Sequence, residues 1–430
     1  EWFFTLVCIF PNRKKIFKLK NYTDIIIIGA GLSGIGSACH LERKNPEKSY
    51  IIIEAREELG GTWSLFKYPG IRSDSDMYTF GFSFKTWDNP KSFADAPNIL
   101  KYLDEAANEY NIKDKIRYQT KVVKANFDTQ KKMWSISTKN KNNTEEIFYS
   151  RFLFSCTGYY NYDEGYTPDY KGINNFEGKV IHPQHWPENL DYKNKKVVVI
   201  GSGATAVTIV PEMAEKTSEI TMLQRSPTYV GAFPNNDKYA QLIKKYFPKK
   251  IAHKLIRFKN IFVQILFFQA CKIWPNYLKK LLVNAAQRQL GDFPAKPHFE
   301  PNYNPWDQRF CVAPDGDLFK AIRKGKANVV TDKIDSFDKN GIKLSSGKKL
   351  EADIIISATG LKLLAFGGSK ITIDNKDYSP SDAVTYKGLM LSGLPNCIFF
   401  AGYTNASWTL KSDLTSEYAS RLFKLMDKKN

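Results

Sequence analysis

At 430 residues, 43% hydrophobic and 25% charged, the chain has the composition of a globular protein of two or three domains and not of a disordered one. A formal charge of +19 admits nucleic acid, anionic lipid or an anionic cofactor as partners, but Lys, Asn and Ile are abundant throughout and no nucleic-acid motif accompanies them. The six cysteines form no CxxC pair and the five histidines no acid-flanked cluster, which argues against a metal site, a dithiol centre or a disulfide framework and fits a cytoplasmic protein.

Residues 2–10 are a short apolar run followed by Pro11 and basic residues. A bilayer span needs ~20 apolar residues, and a signal peptide carries its charges before the apolar run rather than after it. Residues 1–21 are read as an N-terminal extension.

Residues 24–34, DIIIIGAGLSG, predict a buried parallel strand entering a tight turn and a helix. Gly29, Gly31 and Gly34 make GxGxxG, with the first two allowing close backbone approach to a pyrophosphate and the third allowing the helix to pack on the strand. Residues 50–54 form a second strand ending in Glu54, placed to accept hydrogen bonds from a ribose.

Residues 196–206 repeat the unit as GxGxxA, through Gly201, Ser202, Gly203, Ala204, Thr205 and Ala206. The strand that follows, 219–223, leads into Gln224, Arg225 and Ser226, so an arginine stands in the place read for the ribose acid. An acid would repel a 2′-phosphate, whereas Arg225 with Ser226 can bind one, which predicts NADP rather than NAD. Two dinucleotide sites in one chain imply two cofactors exchanging a hydride, FAD at the first and NADPH at the second. Residues 152–158 and 353–360 both read as buried strands ending in Thr-Gly that return the chain across a nucleotide domain.

Residues 238–290 contain no glycine and predict three helices with apolar residues at helical spacing between lysines and arginines. They read either as an insert lining the substrate entrance, which is the favoured reading, or as an interfacial helix giving peripheral contact with an anionic membrane. A last helix is expected from about Thr409 to Met426. The expected fold class is α/β, with two Rossmann-like dinucleotide-binding domains and the NADP domain inserted in the FAD domain. Its boundaries are 22–160 and 353–430 for the FAD domain and 161–352 for the NADP domain, which carries the helical insert.

Residues 176–187 read FEGKVIHPQHWP and match FxGxxxHxxxW(P/D) through Phe176, Gly178, His182, Trp186 and Pro187. On this fingerprint the chain resembles the type I Baeyer-Villiger flavin monooxygenases. The stretches GGTWSLFKYPGIRSDSDMYTFGF, SCTGYYNYDEGY, MLQRSPTY, YNPWDQR and GYTNASWTLK look like the bacterial ethionamide-monooxygenase type of that family, over nearly the whole chain.

The resemblance implies that Thr62, Trp63 and Leu65 line the flavin with Ser33, and that Val122 meets the adenine. It implies that Arg72 and Ser73 lie beside NADP, that Asp74 is the active-site aspartate and Arg309 the catalytic arginine, and that His182 couples the domains. Gln308 departs from a lysine common in the wider family, which leaves more of the NADP preference to Arg225. The implied reaction has NADPH reduce FAD and O2 add at flavin C4a. Oxygen then enters a small-molecule ketone to give an ester or lactone, with sulfides or thioamides as sulfur-containing alternatives. Enzymes of this type continue past the position of Asn430, so a shortened C-terminus is expected. The rival readings are an N- or S-oxygenating flavin monooxygenase and a truncated non-catalytic flavoprotein. A disulfide reductase lacks its cysteine pair here.

Overall fold

Ile25, Ile26, Ile27 and Ile28 are all buried, because their strand is covered on both faces. The computed structural model to which they belong describes residues 19–308 and 310–429, so the expectations for residues 1–18 and for Arg309 lie outside the described residues. The strand Tyr22–Ile28 runs parallel to Tyr50–Ile53 on one side and Glu145–Ser155 on the other. An antiparallel meander, Thr120–Asp128 and Met133–Asn140, extends this nine-stranded sheet. The helix Leu32–Lys44 leaves the first glycine turn and packs against the last helix, Trp408–Lys429. Buried His40 Nε2 meets Asp413 Oδ1 at 3.0 Å between these helices, and Lys44 pairs with Glu417 at their edge. The C-terminal helix therefore holds the helix that leaves the first glycine turn.

The second sheet has five parallel strands, in the order Asn328–Thr331, Glu219–Gln224, Lys196–Ile200, Ile354–Ser357 and Lys179–Ile181. Its central strand, Lys196–Ile200, leads into the second glycine turn and the helix Ala204–Met213. The architecture is α/β with two Rossmann-like units, the second interrupting the first, as the sequence predicts.

Two stretches belong elsewhere than the sequence boundaries put them. Residues 66–96 and 162–362 form the second compact unit, and residues 97–161 and 363–429 complete the first. The strand Ile354–Ser357 pairs with Lys196–Ile200, Ile355 opposite Val198, so it closes the second sheet rather than reopening the first. The two Thr-Gly strands look alike because each lies beside the glycine-rich strand of its own sheet. Residues 66–96 join the second unit because their turn docks on its helix: a Cβ on Gly70 would lie 3.0 Å from Glu212.

The three insert helices are Lys238–Tyr246, Lys249–Ile273 and Pro275–Leu290, close to the predicted segments. Asp237 caps the first by accepting from Tyr239 N and Ala240 N. Pro275 starts the third at the position where its missing N–H is not needed.

Candidate nucleotide and active site

The two glycine turns are built alike. Gly29 has φ +101° and Gly201 φ +136°, and a Cβ at either would strike a carbonyl oxygen, that of Cys156 at 2.6 Å or of Ala358 at 2.4 Å. Those carbonyls belong to the residues just before the two Thr-Gly pairs, so each return strand closes behind its own turn. At the third position, a Cβ on Gly34 would lie 1.8 Å from Gly29 O, whereas Ala206 is tolerated and fully buried in the second core. Both residues pack helix against strand.

The middle glycines differ from the others. Gly31 and Gly203 have ordinary extended angles, φ −77° and −81°, which alanine adopts freely. Among the described residues, a Cβ on Gly31 would make only ordinary contact with Gly61, and one on Gly203 would meet nothing within 4 Å. Neither glycine is needed for conformation or internal packing. Each is the N-cap of a helix with no side-chain cap and no acid in its first turn, so the N-terminal amides are left for an anion.

Glu54 is 7% exposed, and it accepts from Ala30 N at 2.7 Å and Arg56 N at 2.9 Å. A carboxylate has about four lone-pair sites, so acceptor capacity for ribose hydroxyls remains. Gly29 N bonds Ile53 O and Gly201 N bonds Leu223 O, both at 2.8 Å, which makes Gln224 the counterpart of Glu54. This corrects the sequence alignment of the two motifs, which set Arg225 there. Gln224 turns inward and donates to His298 O and Thr331 Oγ1, while Arg225 and Ser226 are exposed one and two residues further on. Ser202 Oγ donates to Ser226 O, fastening that segment to the glycine turn, and Thr205 lies in the first turn of the helix after Ala204.

In the first unit, Thr62, Trp63 and Leu65 share one helical turn, with Thr62 Oγ1 2.5 Å from the Tyr160 hydroxyl. Arg56 fastens this turn, donating to Gly61 O, Ser64 Oγ and Ser64 O. Ser33 Oγ accepts from Trp408 Nε1 at 2.8 Å, and Tyr159 stacks on the Trp408 ring. Val122 is buried in the first core, its carbonyl accepting from Ser369. Arg56 and Trp408 were missed as site residues. Trp408 lies in a stretch that carries the family resemblance, but nothing in the sequence links it to Ser33.

In the second unit, Arg72 Nη1 donates to Asp317 at 2.5 Å, while its Nη2 is buried with no partner among the described residues. Ser73 is 3% exposed and its hydroxyl closes its own turn with Ser75. Asp74 is half-buried in the same loop. Two residues on, buried Asp76 caps the short helix Met77–Phe80 and accepts from Asn260 and Gln264 of the central insert helix. Arg257 of that helix donates to Tyr78 O and Gly81 O at the other end. The insert thus fixes the Asp74 loop through a polar stripe.

His182 Nδ1 accepts from Gln184 N and its Nε2 faces Gly360 O at 3.0 Å, so the Nε2–H tautomer donates to that carbonyl. Burial holds its pKa below the usual histidine range. A Cβ on Gly165 would collide with the imidazole. The ring is a neutral clamp between the places where the chain enters and leaves the second unit, and not a free base.

His253 of the insert sits deeper, and burial, then the nearby Arg257 charge, push its pKa down to about 4. A histidine lowered on folding stabilises the fold above its unfolded pKa and loses that contribution as pH falls. Between pH 6.5 and about 4 the protein is therefore expected to lose about 3 kcal/mol from this residue. Thermal melts of wild type and His253→Leu check this: the variant should show a flatter stability profile across that window. Parallel profiles would contradict it.

Two glycine cradles with open middle positions, one beside a buried acid and one without, define a two-dinucleotide oxidoreductase of the flavoprotein class. The family description "Flavin-binding monooxygenase-like" matches residues 22–367. FAD-containing monooxygenase EthA of Mycolicibacterium smegmatis is 51% identical over 411 residues, covering 95% of this chain and 83% of that protein. The probable FAD-binding monooxygenase AlmA of Acinetobacter baylyi is 48% identical, covering 95% and 82%. Among solved structures, OTEMO in complex with FAD and NADP has a TM-score of 0.76 at 23% identity, covering 95% of this chain and 85% of that one. ε-Caprolactone-bound cyclohexanone monooxygenase has a TM-score of 0.79 at 17% identity, covering 95% and 89%. The chain belongs to the flavin-binding monooxygenase-like family and is a flavin-dependent monooxygenase.

Proposed function

We propose that the protein is an FAD-containing, NADPH-dependent monooxygenase of Baeyer-Villiger type, inserting one atom of O2 into ketones to give esters or lactones and also oxidising sulfides or thioamides. The observation that carries the reading is the pair of middle glycines, Gly31 and Gly203, left open at uncapped helix N-termini. The relatives' printed descriptions as FAD-containing or FAD-binding monooxygenases support FAD at the first cradle. OTEMO, solved with FAD and NADP together, supports NADP at the second.

On this reading Gly29, Gly31, Ser33, Gly34, Glu54, Thr62, Trp63, Leu65 and Val122 belong to the FAD site. Gly201, Ser202, Gly203, Ala204, Thr205, Ala206, Arg225, Ser226, Arg72 and Ser73 belong to the NADPH site. The unpartnered Nη2 of Arg72 favours an anion beside it. FAD, when bound, supplies hydride acceptance and O2 activation. Arg309 contributes a guanidinium that stays cationic at every working pH and so stabilises negative charge on the reacting oxygen, and Asp74 holds the charge balance of that site. Among the described residues no helix is long and apolar enough to cross a membrane; peripheral membrane contact is part of the proposal.

Anaerobic addition of NADPH to the FAD-loaded protein should bleach the flavin, and air with a ketone should then yield ester. Arg309→Ala should keep the bleaching and lose ~10²–10³ in product formation. Absence of bound flavin, or no reduction by NADPH, would overturn the assignment.

A further inference from the structure

The central insert helix, Lys249–Ile273, buries Ala252, Ile256 and Cys271 and leaves a second apolar stripe exposed. Its polar side chains Arg257, Asn260 and Gln264 point inward to the Met77–Phe80 turn and Asp76. Its outward stripe is Ile251, Leu255, Phe258, Phe262, Ile265 and Ile273, spaced three, four or eight residues apart. Phe258 is 70% exposed and Phe262 51%, their rings stacked parallel on the surface, and the apolar run continues through Trp274 at 60%. The helix is ~37 Å long at 1.5 Å per residue, so the stripe is far more than scattered surface leucines.

Charge selects what covers it. Residues 238–290 contain twelve lysines and arginines and no aspartate or glutamate. Lys254 is exposed within the stripe, three residues after Ile251 and four before Phe258, and Lys250 is exposed four residues before it. A second copy of this chain would bring two such cationic segments face to face, which is repulsive. Apart from Lys254, the stripe carries no hydrogen-bonding side chain for a polar partner. Lys249, Lys259 and Lys272 are paired with Asp88, Asp237 and Asp307 of neighbouring segments, which leaves Lys250 and Lys254 as the exposed cations bordering the stripe. An apolar face bordered by such cations suits acyl chains beneath anionic headgroups, and a helix too short and too charged to span lies in the interface plane.

We propose that this outward face seats the enzyme on an anionic lipid surface, with Phe258, Phe262 and Trp274 entering the headgroup–acyl boundary and Lys250 and Lys254 meeting the headgroups. The polar inward face then joins the membrane contact to the Asp74 loop, so the loop that carries the proposed active-site acid is supported by the helix that touches lipid.

The test uses the purified full chain in sedimentation with vesicles of phosphatidylcholine alone and of phosphatidylcholine with phosphatidylglycerol. Wild type is expected to pellet with the anionic vesicles at low salt, to be released by high salt, and to remain in solution with neutral ones. Phe258→Ser with Phe262→Ser should lower the partition coefficient by about tenfold or more, and Lys250→Glu with Lys254→Glu likewise. These side chains are exposed, so unchanged melting temperature verifies that the variants fold. Trp274 emission should shift to the blue on vesicle addition, read as the difference from Trp274→Phe. Failure of wild type to pellet with anionic vesicles would overturn the proposal. So would equal binding by the serine variant, or a wild-type dimer in solution that the serine variant abolishes. Vesicle binding is read without turnover, so its outcome is separate from that of the monooxygenase assignment.

Discussion

Gly203→Ala is expected to fold normally, keep its flavin and bind NADPH about a hundredfold more weakly, a loss of ~2.7 kcal/mol. Alanine is compatible with φ −81° and ψ −177° at this position, and the new methyl would touch no atom of the described residues within 4 Å. On the proposed reading, its consequence is to stand where the NADPH pyrophosphate would approach the amides of the helix Ala204–Met213. Gly31→Ala is the matching change in the first cradle, where the methyl meets Gly61 Cα at an ordinary 3.6 Å. It should lower FAD content on purification while leaving the secondary structure intact. The two variants therefore separate the sites: flavin absorbance reads Gly31, and the NADPH concentration dependence of flavin bleaching reads Gly203. Gly34→Ala is no substitute, because its Cβ would sit 1.8 Å from Gly29 O and damage the fold itself. Normal NADPH dependence in Gly203→Ala would remove the second cradle from the proposed cofactor site.

The cradles were legible in the sequence because their requirements are local. A β-branched run, a glycine at positive φ and a small residue at the helix–strand contact all lie within a dozen residues. What was not legible depends on partners far along the chain. Gln224 is identified as the counterpart of Glu54 only by the matched hydrogen bonds of Gly29 and Gly201. Ser33 meets Trp408 375 residues away, and no local pattern announces that bond. The insert shows the same limit in another form. Its periodicity correctly gave three helices, but periodicity defines two faces without saying which one the protein covers. The usual expectation puts the apolar face inward. Here Asp76 accepts from Asn260 and Gln264, and the Tyr78 and Gly81 carbonyls accept from Arg257, so these polar groups share the inner face with buried Ala252, Ile256 and Cys271, and a second apolar stripe is left outside.

That carboxylate is the most consequential single group in the second unit. Asp76 Oδ1 accepts from Tyr78 N, Thr79 N and Asn260 Nδ2, and Oδ2 accepts from Thr79 Oγ1 and Gln264 Nε2. Asp76→Ala removes the carboxylate from five donors; Thr79 N and Thr79 Oγ1 keep the backbone oxygen of residue 76, while Tyr78 N, Asn260 and Gln264 lose their acceptor, at an expected cost of about 3 kcal/mol. Asp76→Asn retains one acceptor oxygen and places an amide against other donors, so about half that loss is expected. Gln264→Leu removes one donor without stranding the rest and should cost least. Denaturant titration checks the order, and a value for Asp76→Ala within about 1 kcal/mol of wild type would contradict the network's role. Turnover separates stability from positioning. Asp74 lies two residues before the cap, so loosening the cap frees its loop from the insert helix. In Asp76→Asn at a temperature where the protein remains folded, product formation should fall more than NADPH affinity does, because the second cradle is untouched and only Arg72 and Ser73 of the proposed NADPH contacts share the loosened loop with the proposed active-site acid. Proportional loss of both would reduce Asp76 to a purely structural cap. Normal turnover in a destabilised variant would show that the Asp74 loop does not need the insert to hold its place.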